Sequence, residues 1–139
     1  MVLLFVLFDV FLHALRAYFS FPGAPLPPIN IRTTDCSNHT TNITWDVRLL
    51  TDLLSPIGFI IEWRARPRFL ELSWPAFSKF KEISGGAVRS YVVRKLKGEF
   101  DIQFRVRAKN TLGVGFPGMM SPFSRCLTTA TSKYLSQTN

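Results

Sequence analysis

The chain has 139 residues, 47% of them hydrophobic and 14% aromatic, with 13 phenylalanines. That composition fits one domain with a substantial core and excludes global disorder. Charged residues are only 19%, yet their balance gives a net charge of +8 and a pI near 10.1. Such a charge suits an anionic partner (a phospholipid surface, a sulfated glycan, nucleic acid or an acidic protein face) and carries no information about fold.

At the N-terminus, Val2 to Phe8 is a purely apolar run, interrupted by Asp9 and followed by Val10, Phe11, Leu12, His13 and Arg16. A transmembrane helix needs about 20 apolar residues and would not hold Asp9 and Arg16 among them. A secretory signal fits the length of the run, but there is no positive n-region and no small-x-small cleavage site before Phe21. A fragment or mispredicted leader with no structural role competes with it. The expected organisation is an apolar leader or linker over 1–23, one domain over 24–131, and a C-terminal linker over 132–139.

Pro22 to Pro28 has the composition of a linker, with prolines that favour extended backbone and bar a continuing helix. Short strands separated by turn chemistry are expected after it. Ile29 and Ile31 alternate with polar neighbours, as do Ile43 and Trp45 with Asn42, Thr44 and Asp46. Phe59, Ile61 and Trp63 form a third row, and Tyr91 and Val93 with Leu96 a fourth, after Gly85-Gly86. The clearest run is Asp101 to Asn110, where Ile102, Phe104, Val106 and Ala108 alternate with Gln103, Arg105, Arg107 and Lys109. Period two places these sets on opposite faces of a half-buried antiparallel strand. Gly113, Gly115, Pro117 and Gly118 mark a turn-rich loop, and Leu127, Thr129 and Thr131 read as the final strand. About seven such strands make an all-β, two-sheet sandwich.

Cys36 and Cys126 lie near opposite ends of this region. Two thiols cannot form an all-cysteine zinc site, and neither His13 nor His39 has finger-like spacing. They are either bonded or two buried free thiols. A bond would close a loop of roughly 90 residues, worth about 4–5 kcal/mol in the chain-entropy model. Asn38-His39-Thr40 and Asn42-Ile43-Thr44 are both N-glycosylation sequons, neither blocked by proline. Two sequons beside a candidate disulfide favour an oxidising, secretory route. Asn38 is expected in a loop; Asn42 opens a strand in which Ile43 and Trp45 point inward and leave it outward.

The pattern resembles a fibronectin type III domain, a seven-stranded immunoglobulin-like antiparallel sandwich. Pro25-Leu26-Pro27-Pro28 leads into strand A as in that family, and Trp45 stands where its strand B tryptophan does. Ser55-Pro56-Ile57 with Phe59-Ile60-Ile61 resembles the entry to strand C, and Leu96 precedes the E–F corner. Phe104 to Gly113, with Ala108-Lys109-Asn110-Thr111-Leu112-Gly113, resembles the strand F signature. Cys36 nine residues before Trp45, Ser124 to Thr129, and Trp74 resemble more narrowly the first fibronectin repeat of neuroglian- and neurofascin-type neural adhesion molecules. That resemblance implies a Cys36–Cys126 bridge. One departure stands out: the family's corner tyrosine is replaced by Ile102, leaving the corner to packing or to the disulfide.

Arg105, Arg107 and Lys109 share a sheet face with strand C in this fold, and Arg64, Arg66 and Arg68 extend it. This basic row, with Trp74 as an anchor, is the candidate interface for an acidic protein or sulfated glycan; arginine stems lying over Trp and Phe rings on an ordinary solvated face would give the same pattern. Catalysis has almost no support: there is no Gly-x-Ser-x-Gly, no Gly-rich phosphate loop and no placed carboxylate pair. No cofactor or metal is expected. The resemblance implies a binding and spacer module of a neuronal cell-adhesion receptor, outside the cell. Its partners would be cell-surface or matrix proteins and neighbouring immunoglobulin or fibronectin domains. The alternative is a ligand-binding ectodomain module of a signalling receptor, phosphatase-linked or cytokine-receptor-like. Nucleic-acid binding rests on charge alone and would require reduced cysteines.

Overall fold

In a computed structural model of the chain the described residues are 23–48, 54–68 and 73–126. The apolar leader, the Leu127–Thr131 strand and the 132–139 linker lie outside them. Eight strands form: β1 (Ile29–Thr33), β2 (Thr41–Asp46), β3 (Gly58–Pro67), β4 (Lys79–Ser84), β5 (Ser90–Val93), β6 (Phe100–Asn110), β7 (Gly113–Val114) and β8 (Ser124–Cys126). One sheet has the order β1-β2-β5; the other has the order β4-β3-β6-β7, with β8 also pairing β6. Every named pair is antiparallel.

Each predicted row became a strand for the predicted reason. In β2, Ile43 and Trp45 are fully buried while Asn42 and Thr44 are half-exposed. In β6, Ile102, Phe104, Val106 and Ala108 are buried and Gln103, Arg105, Arg107 and Lys109 are not. Phe59 and Ile61 of β3 complete the far side of the core, and Trp45 meets Phe59 with ring centroids 5.2 Å apart. Strand β4 had no sequence signal because it is an edge: Lys79, Phe80, Lys81 and Glu82 are all exposed, so no alternation marks it.

The stretch expected as a turn-rich loop, Gly113 to Gly118, opens with a short strand. β7 and β8 both pair β6, and between them three amides reach it singly: Gly115 to the Ala108 carbonyl (2.9 Å), Gly118 to Val106 (2.9 Å) and Ser121 to Phe104 (2.8 Å). β6 advances two residues per bond while the partner advances three, so the partner bulges at every step. Pro117 and Pro122, which have no amide hydrogen, fall in the bulges. The glycines admit the proline segment. A Cβ on Gly115 would stand 2.2 Å from the Pro25 carbonyl oxygen, and one on Gly118 2.1 Å from that of Pro28. Pro25 and Pro28 are accordingly buried, so this stretch is packed structure despite its linker composition.

One end of the sandwich is tied by covalent and hydrogen bonds. Cys36 and Cys126 form a disulfide across a sequence separation of 90. Beside it the Cys36 amide donates to the Arg125 carbonyl (3.2 Å), and the Ser124 hydroxyl to the Thr34 carbonyl (2.9 Å). Ser37 and Thr40 then exchange both backbone bonds at 2.9 Å around Asn38 (φ 49°) and His39 (φ 59°), a two-residue hairpin loop of primed type. The His39 Nδ1–H donates to the Leu96 carbonyl (2.8 Å), and the Leu96 amide to the His39 carbonyl (3.0 Å). The corner that lacks tyrosine is therefore gripped by His39, a residue read from sequence only as part of a sequon.

Two stability outcomes follow. Trp45→Ala should cost about 3–5 kcal/mol in denaturant melts, because it empties the centre of the core. Cys36→Ser with Cys126→Ser should cost about 4 kcal/mol, and His39→Ala in that background about 1 kcal/mol more. An unchanged midpoint after His39→Ala would show that the corner does not use the imidazole.

Candidate interaction surface

The outer face of the larger sheet is built by exclusion. Because Phe59, Ile61 and Trp63 of β3 turn inward, Ile60, Glu62, Arg64 and Arg66 turn outward. Pairing with β6 sets Arg107 opposite Ile60, Arg105 opposite Glu62, and Gln103 opposite Arg64. The segment before β4 folds back over this face and lays Trp74 and Phe77 on the arginines.

The result is a ladder of guanidinium groups and rings. Arg66 lies 4.3 Å from the Trp74 ring centroid, and Arg64 lies 5.1 Å from Trp74 and 4.6 Å from Phe77. Arg105 continues the ladder, 4.1 Å from Phe77. Glu62 then joins Arg105 and Arg107, the latter at 3.1 Å, and Arg107 also reaches the Gly115 carbonyl. Lys109 pairs with Glu82 of β4. Arg64 donates twice to Gln103 Oε1 (3.1 and 2.7 Å) and once to the Pro75 carbonyl (3.2 Å). Each exposed cation–ring contact is worth about 0.5–1 kcal/mol, so the ladder holds the segment before β4 in place.

All the predicted interface residues but one therefore meet on this face, and they are engaged with partners. Arg68 stands just beyond β3, its amide bonded to the Glu99 carbonyl (3.0 Å). Gln103, on the outward face that the alternation predicts, completes the ladder with Phe77 and Glu62, which had no sequence signal, since only the register sets Glu62 beside Arg105. Among the described residues no three His, Cys, Asp or Glu side chains gather as a metal-ligand set. Asn38 sits at the exposed hairpin tip, whereas Asn42 is half-exposed within β2, its backbone bonded to Thr34.

The charges on this face set a pH dependence. Burial alone would raise the Glu62 carboxyl, but hydrogen bonds from Arg105 and Arg107 and the positive charge of both outweigh it, so it titrates below its ordinary value of 4.5. Burial first, then the like charges of Arg105 and Arg66, pushes the Arg64 guanidinium down from its own ordinary value. A depressed carboxyl stabilises the fold fully above its ordinary, unfolded value, and that contribution disappears as pH falls through the folded value. Glu62→Gln should therefore lose about 1 kcal/mol at pH 7, with the gap to the native chain closing on acidification. A gap equally large at pH 7 and pH 2 would assign the loss to packing.

No protein-family model matches the chain. Human contactin-6 is 32% identical over 104 residues, covering 74% of this chain and 10% of contactin-6. Mouse contactin-3 is 28% identical over 100 residues, covering 71% of this chain and 9% of contactin-3. The chain thus spans about a tenth of the length of these curated relatives. Among solved structures, the chicken CNTN1 FN1–FN3 domains superpose with a TM-score of 0.57 at 30% identity, over 76% of this chain and 33% of that one. The third fibronectin III domain of human KIAA0343 protein gives 0.63 at 17% identity, over 77% of this chain and 87% of that one. Sheet order, core pattern and these similarities together make this chain a member of the fibronectin type III domains, resembling those of neural cell-adhesion molecules.

Proposed function

We propose that the chain is a non-catalytic binding and spacer module on the extracellular side of a cell-adhesion receptor, acting in contacts between neuronal cells. The observation that carries this reading is the similarity to two contactins across about three quarters of the chain. The Cys36–Cys126 bond supports it, since such a bond persists in an oxidising compartment. Its partners are cell-surface or matrix proteins and adjoining immunoglobulin or fibronectin domains of its parent chain.

The ordered outer face supports a protein-binding role. A side chain already fixed in a ladder loses little further freedom on docking, which favours affinity. Arg64, Arg66, Trp74, Arg105, Arg107 and Lys109 form the proposed contact face, with Arg68 at its end. Phe80, 69% exposed and opposite Glu62 in the register, offers an apolar anchor in their midst.

Two experiments test the proposal. A membrane-impermeant label should reach the parent protein on intact neuronal cells, and beads bearing the full chain should capture such cells. Trp74→Ala should weaken capture about tenfold; labelling only after permeabilisation, or capture indifferent to Trp74→Ala and Phe80→Ala, would sink it. The exposed tip makes Asn38 the better acceptor for a glycan. Enzymatic deglycosylation of the secreted chain should shift its gel mobility, and Asn38→Gln should remove most of that shift. A shift that survives Asn38→Gln and vanishes with Asn42→Gln would reverse the assignment.

A further inference from the structure

Five cations without an ion pair among the described residues, Lys79, Lys81, Arg94, Lys95 and Lys97, lie on the open side of the sandwich. Strand β4 is an edge of one sheet and β5 an edge of the other, and a cleft runs between them. Lys79 pairs with Trp63 and Lys81 with Ile61, so both lysines project from the inner side of β4, over the gap between the sheets. From the opposite sheet, Arg94, Lys95 and Lys97 follow β5 into the same opening.

Two adjoining cavities occupy this cleft, of about 210 and 310 Å³, and they share Trp63, Arg94 and Lys95 in their walls. Tyr91 and Val93 line the larger, while Phe100 and Ile102 line the smaller. Among the described residues no acidic side chain lines either one. None of the five cations forms an ion pair among the described residues, whereas Arg105, Arg107 and Lys109 of the outer face all do.

A lysine on an edge strand is commonly a guard against strand addition. That explanation covers Lys79 and Lys81 on β4, and leaves Arg94, Lys95 and Lys97, which come from the other sheet. Like charges converging on one cleft repel unless an anion joins them. The far wall is also built with care: Lys95 is held at φ 60°, uncommon for a residue with a side chain, and its neighbour Leu96 is locked by both bonds to His39.

We infer that the β4–β5 cleft is a binding site for a sulfated glycan. Aromatic walls from Trp63 and Tyr91 take the apolar face of a sugar ring, and the lysines and Arg94 take its sulfate groups. Nucleic acid would satisfy the charges as well, but an extracellular module meets sulfated polysaccharide. That choice rests on the location proposed above. Binding is measured on purified chain and location on intact cells, so the two readings fail separately.

The test uses the full chain and a heparin octasaccharide in 0.15 M salt, followed by tryptophan fluorescence and calorimetry. Lys81→Gln with Lys97→Gln should lower affinity roughly tenfold, while the charge-matched pair Arg32→Gln with Arg48→Gln should lower it less than about twofold. Both pairs are exposed surface changes and should melt with the native chain. Independently of any variant, the octasaccharide should protect Lys79, Lys81, Lys95 and Lys97 from acylation in the native chain. Equal losses from the two pairs, or uniform protection of all lysines, would reduce the site to diffuse charge and overturn it. So would equal binding of a desulfated octasaccharide, and equal binding of a polyuridylate of matched charge would overturn the ligand class.

Discussion

The pairing of β3 with β6 runs from Gly58 opposite Lys109 to Pro67 opposite Phe100, and most of the molecule hangs on its register. One face of that pair supplies Phe59, Ile61, Phe104 and Val106 to the core; the other supplies Glu62, Arg64, Arg105 and Arg107 to the ladder. A slip of β3 by one residue would turn Phe59 and Ile61 outward and bring Glu62 and Arg64 inward. The desolvation of unpaired guanidinium groups makes that alternative prohibitive. The same alternation therefore fixes the core and the surface together.

The ends of the sandwich solve a different problem. The β1–β2 loop, the β5–β6 corner and the end of β8 are distant in sequence and meet at one end of the sandwich. A disulfide joins the first to the last, and His39 joins the first to the corner. Where the family uses a tyrosine hydroxyl from the strand itself, this chain uses an imidazole from a neighbouring hairpin, with Ile102 filling the core. The primed turn at Asn38-His39 does two things at once, exposing the Asn38 side chain and aiming the imidazole at Leu96.

Charge is distributed by the same logic. A chain of net charge +8 places its outer arginines against rings and Glu62, and Lys109 against Glu82, where they act as structural cement. Lys79, Lys81, Lys95 and Lys97, which form no ion pair among the described residues, collect along the β4–β5 opening. Composition gives the total and is silent on this division. Arg105 and Lys97 look alike in sequence, and differ because one faces Glu62 across a strand pair while the other follows β5 and forms no ion pair among the described residues.

Much of the architecture was legible in the residues alone. Period-two alternation in β2, β3 and β6 is a local property, and it specified both the strands and their buried faces, including Trp45. The two sequons and the cysteine pair were equally visible. Three things required the tertiary structure. β4 carries no alternation because its inner side holds Lys79 and Lys81 and only Ile83 packs against the core, so only its pairing with β3 reveals it. The split of the last strand into β7 and β8 depends on Gly115 and Gly118 yielding space to Pro25 and Pro28, a contact between opposite ends of the domain. The partners of the basic residues depend on register and on the fold-back of Trp74 and Phe77, since ion pairs and ring contacts are set by distances in space, which spacing along the chain does not encode.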